Sequence, residues 1–136
     1  MRKLYYVLFL IATLMVIPAC DSGDEEDVFG CTDVSAVNFN ASANVSDRSC
    51  IYRAIVSFYM QRGDIGNVEV FVGNQSIGTL DRFWEGGPPG DCGLVGTVSA
   101  NVLTGDEFQW QAFSESGLNT GGRVLVTSLC QVVLTF

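Results

Sequence analysis

Hydrophobic and polar positions divide the chain into successive stretches of different pattern. An apolar run with Thr13 inside it covers Leu4 to Ile17, preceded by Arg2 and Lys3 and followed by Pro18, Ala19 and Cys20. Acidic residues dominate from Asp21 to Asp27. Gly30 to Tyr52 then scatters Ala36, Val37, Phe39, Ala41 and Val45 among Asn, Asp and Ser, whose side chains bond back to their own backbone and favour turns. That composition predicts a loop segment with a small core beneath it.

Beyond Ile51 the pattern becomes that of strands. Ile51 to Met60 is rich in β-branched and aromatic residues and ends at the turn Arg62-Gly63-Asp64. Val68 to Val72 alternates with Val68, Val70 and Val72 on the buried face; Gly73-Asn74-Gln75 turns and Ser76 to Leu80 returns as a hairpin. Strands are also predicted over Leu94 to Leu103, Glu107 to Ser114, Arg123 to Ser128 and Cys130 to Phe136, with turns at Gly105-Asp106 and Gly117 to Gly122. Phe108, Trp110 and Ala112 share one side of their strand, and Gln109, Gln111 and Phe113 share the other. Cys130, Val132, Leu134 and Phe136 share a side of the last strand, which parity reads as the core.

About seven short strands with no convincing helix indicate an all-β domain over 53–136, a single antiparallel β-sandwich. An open barrel would use the same strand count. The plan resembles the immunoglobulin-like or prealbumin-like accessory modules of surface proteins, and such sandwiches host many functions.

Charge narrows those functions. The net charge of −8 disfavours nucleic acid, whose phosphates attract Lys and Arg. With no histidine, the commonest transition-metal ligand and the usual general base are missing, and a Ser-His-Asp arrangement cannot be built. The carboxylates beyond residue 60 fall mainly in turns or on solvent faces, and no pair can be placed across a cleft. The expectation is a protein that is not an enzyme.

The first stretch sets the address. Two cations and the apolar run are the n-region and core of a signal peptide, and the run is short for a spanning helix, which needs about 20 apolar residues. Ile17-Pro18-Ala19-Cys20 resembles a relaxed lipobox, which implies a signal peptide over 1–19 and lipid on Cys20. Several acyl chains at one residue would hold the chain at a membrane nearly permanently. Asp21 and Asp24-Glu25-Glu26-Asp27 resemble the acidic export signal of Bacteroidota surface lipoproteins. That resemblance implies a tether over 20–29 and a lipid-anchored location on the outer membrane, facing the cell exterior.

Four of the five cysteines remain after Cys20. In an oxidising setting they allow three pairings. Cys31 with Cys50 and Cys92 with Cys130 are favoured because each pair brackets one compositionally distinct segment; spacings this wide and irregular do not suit a zinc knuckle. Cys92 reaches Cys130 if the Pro-Gly loop folds against the terminal strand.

The segment 30–52 resembles a repeat of exported marine Bacteroidota proteins, Cys-Thr-Asp, Ala, Asn-Tyr-Asn, Ala, Asp-Asp-Gly-Ser-Cys and an aromatic. Cys31-Thr32-Asp33, Ala36, Asn38-Phe39-Asn40, Ala43, Asp47, Ser49-Cys50 and Tyr52 follow it in order, with Phe39 for the tyrosine and Arg48 in the compressed acidic-glycine position. The resemblance supports the first disulfide. Asp33, Asn38, Asn40, Asn44 and Asp47 are weak calcium candidates, since oxygen ligands suit a hard cation. Arg48 beside Asp47 and the missing D-x-[DN]-x-[DN]-G pattern favour turn capping, so no metal is expected.

Asp81 to Gly93 is a long connection whose prolines and glycines bar regular structure. It carries the candidate contact loop Arg82, Phe83, Trp84 and Glu85, which either meets a ligand or lids the sandwich edge. Arg62-Gly63-Asp64 matches an adhesion tripeptide in letters, but Gly-Asp is ordinary turn chemistry. The expectation is a cell-surface binding or adhesion module that contacts a glycan, a peptide or an envelope protein. The alternative is a structural subunit of a surface or filamentous assembly, self-associating through strand edges.

Overall fold

A computed structural model describes residues 26–136, and among these there is no helix. The signal-peptide run, Cys20 and the tether up to residue 25 lie outside the described residues. Two short strands, β1 (Phe29–Gly30) and β2 (Val45–Ser46), pair in parallel within the N-terminal motif. The rest of the chain forms β3 (Arg53–Tyr59), β4 (Val68–Val72), β5 (Gln75–Leu80), β6 (Val98–Leu103), β7 (Glu107–Ser114), β8 (Asn119–Leu125) and β9 (Cys130–Leu134). These make a three-stranded sheet in the order β6-β3-β9 and a four-stranded sheet in the order β5-β4-β7-β8.

Alternation explains how the sheets close on each other as a sandwich. Ala54, Val56 and Phe58 of β3 are buried in one cluster with Val68 and Val70 of β4, Trp110 and Ala112 of β7 and Val124 of β8. The rings of Phe58 and Trp110 meet with centroids 5.4 Å apart. Each large apolar side chain so buried contributes roughly 1.5–3 kcal/mol. Along β7 the outward set is Gln109, Gln111 and Phe113, as the sequence alternation implies.

β5 comes close to β6 at one side of the sandwich. A β-bulge falls between Val70 and Phe71, and Gly78 lies at φ 148° with an added Cβ only 3.1 Å from Val98. At the other side, β8 and β9 are the edge strands of their sheets. Within the sandwich one strand pairing is parallel: β9 runs beside β3 with Cys130 opposite Ile55. Past β9, Thr135 donates its N–H and its hydroxyl to Tyr59 O, and Gln61 N–H donates to Phe136 O.

Both disulfides join the favoured partners, Cys31 with Cys50 and Cys92 with Cys130. Cys130, however, is exposed rather than in the core, and Val133 is the β9 residue that packs inward. The reason is that the Cys92 loop crosses the outer face of the three-stranded sheet. There the Gly93 N–H donates to Ser57 Oγ at 2.9 Å. Two strand limits also differ from the alternation. Residues 94–97 form a turn, with Thr97 N–H and hydroxyl both donating to Leu94 O, so β6 begins at Val98. The glycines read as a turn are strand: Gly121 and Gly122 pair with Gln111 and Trp110.

In the N-terminal motif Cys31 and Ala36 are buried, but Val37, Phe39 and Ala41 are exposed and Val45 is half-buried. The expected small core is therefore reduced to the disulfide and Ala36. A segment this short has too little apolar surface to enclose, and its loop closure is worth about 3 kcal/mol in the chain-entropy treatment.

Candidate functional site

Each of the candidate oxygen ligands of the N-terminal motif is engaged in a hydrogen bond, either within its own turn or across the motif. Asp33 Oδ1 accepts from the Ser35 N–H and hydroxyl, and its Oδ2 accepts from the Tyr52 hydroxyl at 2.9 Å. Asn38 Oδ1 accepts the Ile51 N–H while its amide donates to Ser49 O. Asn40 Oδ1 takes the Ser42 N–H, Asn44 Oδ1 the Val28 N–H and Asp47 Oδ1 the Ser49 N–H. The Ser35 and Tyr52 bonds hold Asp33 below the usual aspartate range, and the Ser49 bonds do the same for Asp47. Among the described residues, no three of His, Cys, Asp or Glu are grouped closely enough to hold a metal.

The loop after β5 is stitched to the sandwich. Trp84 is half-buried, its N–H donates to Met60 O and its indole Nε1–H to Gly96 O at 3.3 Å. The Arg82 stem lies over Gly96, where an added Cβ would be 3.1 Å away. Phe83 is 42% exposed and its ring covers Gly63, with no room for a Cβ there. Glu85 is exposed. Within the turn beneath Phe83, Arg62 makes a two-armed ion pair with Asp64, Nη2 to Oδ2 at 2.8 Å and Nε to Oδ1 at 3.1 Å. That pair raises Arg62 and lowers Asp64 from their ordinary values. The two charged arms of this tripeptide are turned onto each other.

The outer face of the four-stranded sheet has the opposite character. Register places Phe113 opposite Asn119, Gln111 opposite Gly121 and Gln109 opposite Arg123 across β7 and β8. On the β4 side, Gln111 lies opposite Phe71 and Phe113 opposite Glu69. Directly opposed residues share a face, so these side chains form one surface. Phe71 and Phe113 meet edge to face at 5.7 Å, leaving Phe113 44% exposed. Gly121 lowers the floor between Gln111 and β8: an added Cβ there would lie 2.6 Å from Trp110 O and 3.3 Å from Gln111 Cγ. Two adjoining depressions of about 260 and 380 Å³ follow, one lined by Gln109, Gln111, Gly121 and Arg123, the other by Gln111, Phe113, Asn119 and Thr120.

Charge at this face is settled at its ends. Arg123 Nη1 pairs with Glu107 Oε1 at 3.2 Å, and Glu69 Oε1 accepts the Ser76 hydroxyl at 2.8 Å. Between them the side-chain amides of Gln109, Gln111 and Asn119 are exposed, and none makes a hydrogen bond to another described residue. The result is a shallow trough with an aromatic wall and free amide donors and acceptors, whose lining cation Arg123 is paired with Glu107. Sequence alternation had set Gln109, Gln111 and Phe113 on one side. Their grouping with Asn119 over a glycine floor depends on β8, which glycine content disguises as a turn. Compared with known proteins, the chain matches no family model, no curated protein and no solved structure.

Proposed function

We propose that this chain is a lipid-anchored module, carried on the exterior of the outer membrane by Cys20 and its acidic tether, that binds a partner without catalysing a reaction. The observation that carries the reading is the outer face of β7 and β8. It presents an exposed aromatic and uncommitted amides on a sheet whose register is held by backbone bonds. Rigid strands place such groups more reproducibly than loops do. In the Arg82 to Glu85 loop, the Trp84 indole is already bonded to Gly96, which suits a lid over the sandwich edge.

Assembly through strand edges is the second reading. β8 and β9 are both edge strands, and Leu125 and Leu129 near them are 54% and 59% exposed. Unpaired backbone at such edges accepts another strand. Electron microscopy of the native host surface, with mass measurement of the extracted protein, separates the two. A binding module is expected as a monodisperse, lipid-bearing chain starting at Cys20, accessible to protease on intact cells. Ordered polymers, or an unlipidated chain released to the medium, would sink the first reading.

A further inference from the structure

We infer that the trough over β7 and β8 is a binding site for a strand of neutral polysaccharide, an inference that rests on reading the module as a binder. Shape is the first argument. The two depressions adjoin along the strands and are open rather than enclosed, so they suit an extended chain lying along β7 and β8. Gly121 keeps the floor low, and any side chain at that position meets Trp110 O.

Hydrogen-bonding chemistry selects the ligand class. Each amide of Gln109, Gln111 and Asn119 offers both donors and an acceptor, and side chains two apart on β7 stand roughly 6.7 Å apart on the same face. Neighbouring hydroxyls on a sugar ring donate and accept at once, which an amide satisfies from one plane. A carboxylate, sulfate or phosphate would need donors or cations alone. The nearest cation, Arg123, is paired with Glu107, and the net charge of −8 repels polyanions.

Phe113 supplies the apolar half of the contact. Phe71 meets it edge to face and supports it, while its exposed part remains available to the C–H face of a pyranose. A peptide strand would instead bond along the backbone of the β8 edge and would gain nothing from the amides on the sheet face.

The test uses the full-length chain in detergent micelles, in affinity electrophoresis through gels containing β-glucan, mannan or galactan as neutral probes, and alginate or sulfated galactan as anionic ones. At least one neutral polysaccharide is expected to retard the protein, with little response to added salt. Phe113→Ala and Gln111→Ala should each weaken that retardation by about tenfold, equivalent to about 1.4 kcal/mol. Gln111→Glu keeps the shape but removes the donors and should weaken it as well. Val95→Ser, at an exposed position outside the trough, should leave it unchanged, and thermal melting establishes that every variant is folded. Retardation by anionic probes alone, or loss on Phe83→Ala but not on Phe113→Ala, would overturn the neutral-glycan assignment while the binding reading stood. Ordered polymers that take up no probe would overturn both.

Discussion

The Ser57 hydroxyl, fully buried on the outer side of β3, accepts the Gly93 N–H at 2.9 Å and shares a 2.7 Å hydrogen bond with Ser99 Oγ. This contact pins the Cys92 loop across the three-stranded sheet, beside the point where Cys92 is bonded to Cys130. A serine in mid-strand is otherwise a weak strand former, so its place here follows from the loop above it.

Replacing Ser57 by alanine removes the acceptor of the Gly93 N–H and the partner of Ser99 Oγ. Each hydrogen bond so lost contributes about 0.5–1.5 kcal/mol. Urea denaturation of Ser57→Ala should show a loss on that scale, with Ser99→Ala, on the exposed side of the pair, losing less. Equal losses from the two variants would mean that the Ser57-Ser99 bond, rather than the Gly93 contact, is what matters.

Arg48 is the non-glycine residue with positive φ among those described, at 65°. The left-handed region costs an L-residue roughly 1–2 kcal/mol, and glycine is spared that penalty while losing some chain entropy on folding. Arg48→Gly should therefore stabilise the motif by about 0.5–1 kcal/mol, and Arg48→Val should destabilise it. Native-state hydrogen exchange at Ile51 N–H, which donates to Asn38 Oδ1 within the same loop, reads this locally. Slower exchange in the glycine variant is the expected result, and faster exchange would contradict the strain argument.

How far the sequence could be read depended on whether a residue's neighbours lie nearby in the chain. Val68 and Val70, Phe108 to Phe113 and the two disulfide partners were legible because alternation and segment composition are local signals. Cys130 was not. β9 carries apolar residues on both sides, Val132 and Leu134 on one and Val133 on the other, so parity has no contrast from which to choose a core face. The choice is made by the Cys92 loop covering the outer side, a contact spanning 38 residues. Gly121 and Gly122 look like a turn for a similar reason. Their strand character comes from Trp110, whose indole occupies the space beside Gly122, 3.3 Å from where a Cβ would stand. The trough was hidden with them.

The bond from the Tyr52 hydroxyl to Asp33 Oδ2 ties the start of the motif to its end and predicts linked titrations. Asp33 titrates below its ordinary value of 3.8, because Ser35 and then Tyr52 stabilise the carboxylate in the folded state. Its contribution is thus complete above 3.8 and is lost as pH falls through the lowered value. Tyr52 titrates above 10.0, first because its hydroxyl donates to Asp33, so its contribution is complete below 10.0 and is lost as pH rises through the raised value. Ultraviolet titration of the tyrosines should show Tyr52 moving back toward 10.0 in Asp33→Asn. No movement would mean that the hydroxyl finds another partner.

Gly121 couples stability to the trough, so one position tests two consequences. Its φ is not in the left-handed region, and the reason for glycine is space: a Cβ would lie 2.6 Å from the Trp110 carbonyl oxygen, a backbone atom that cannot swing aside. β8 would have to withdraw from β7 to admit alanine, stretching the pairing of Gly121 with Gln111. Overpacking of this kind costs about 1–3 kcal/mol. Gly117, at φ 84° with nothing within 4 Å of an added Cβ, is the contrasting site, where alanine meets backbone strain but no clash. Chemical denaturation should therefore show Gly121→Ala destabilised, and hydrogen exchange should show opening concentrated at β8 amides. In Gly117→Ala any opening should stay at the turn between β7 and β8. If Gly121→Ala left both stability and β8 exchange unchanged, the close approach of β8 to Trp110 O would be refuted, and with it the low floor of the trough.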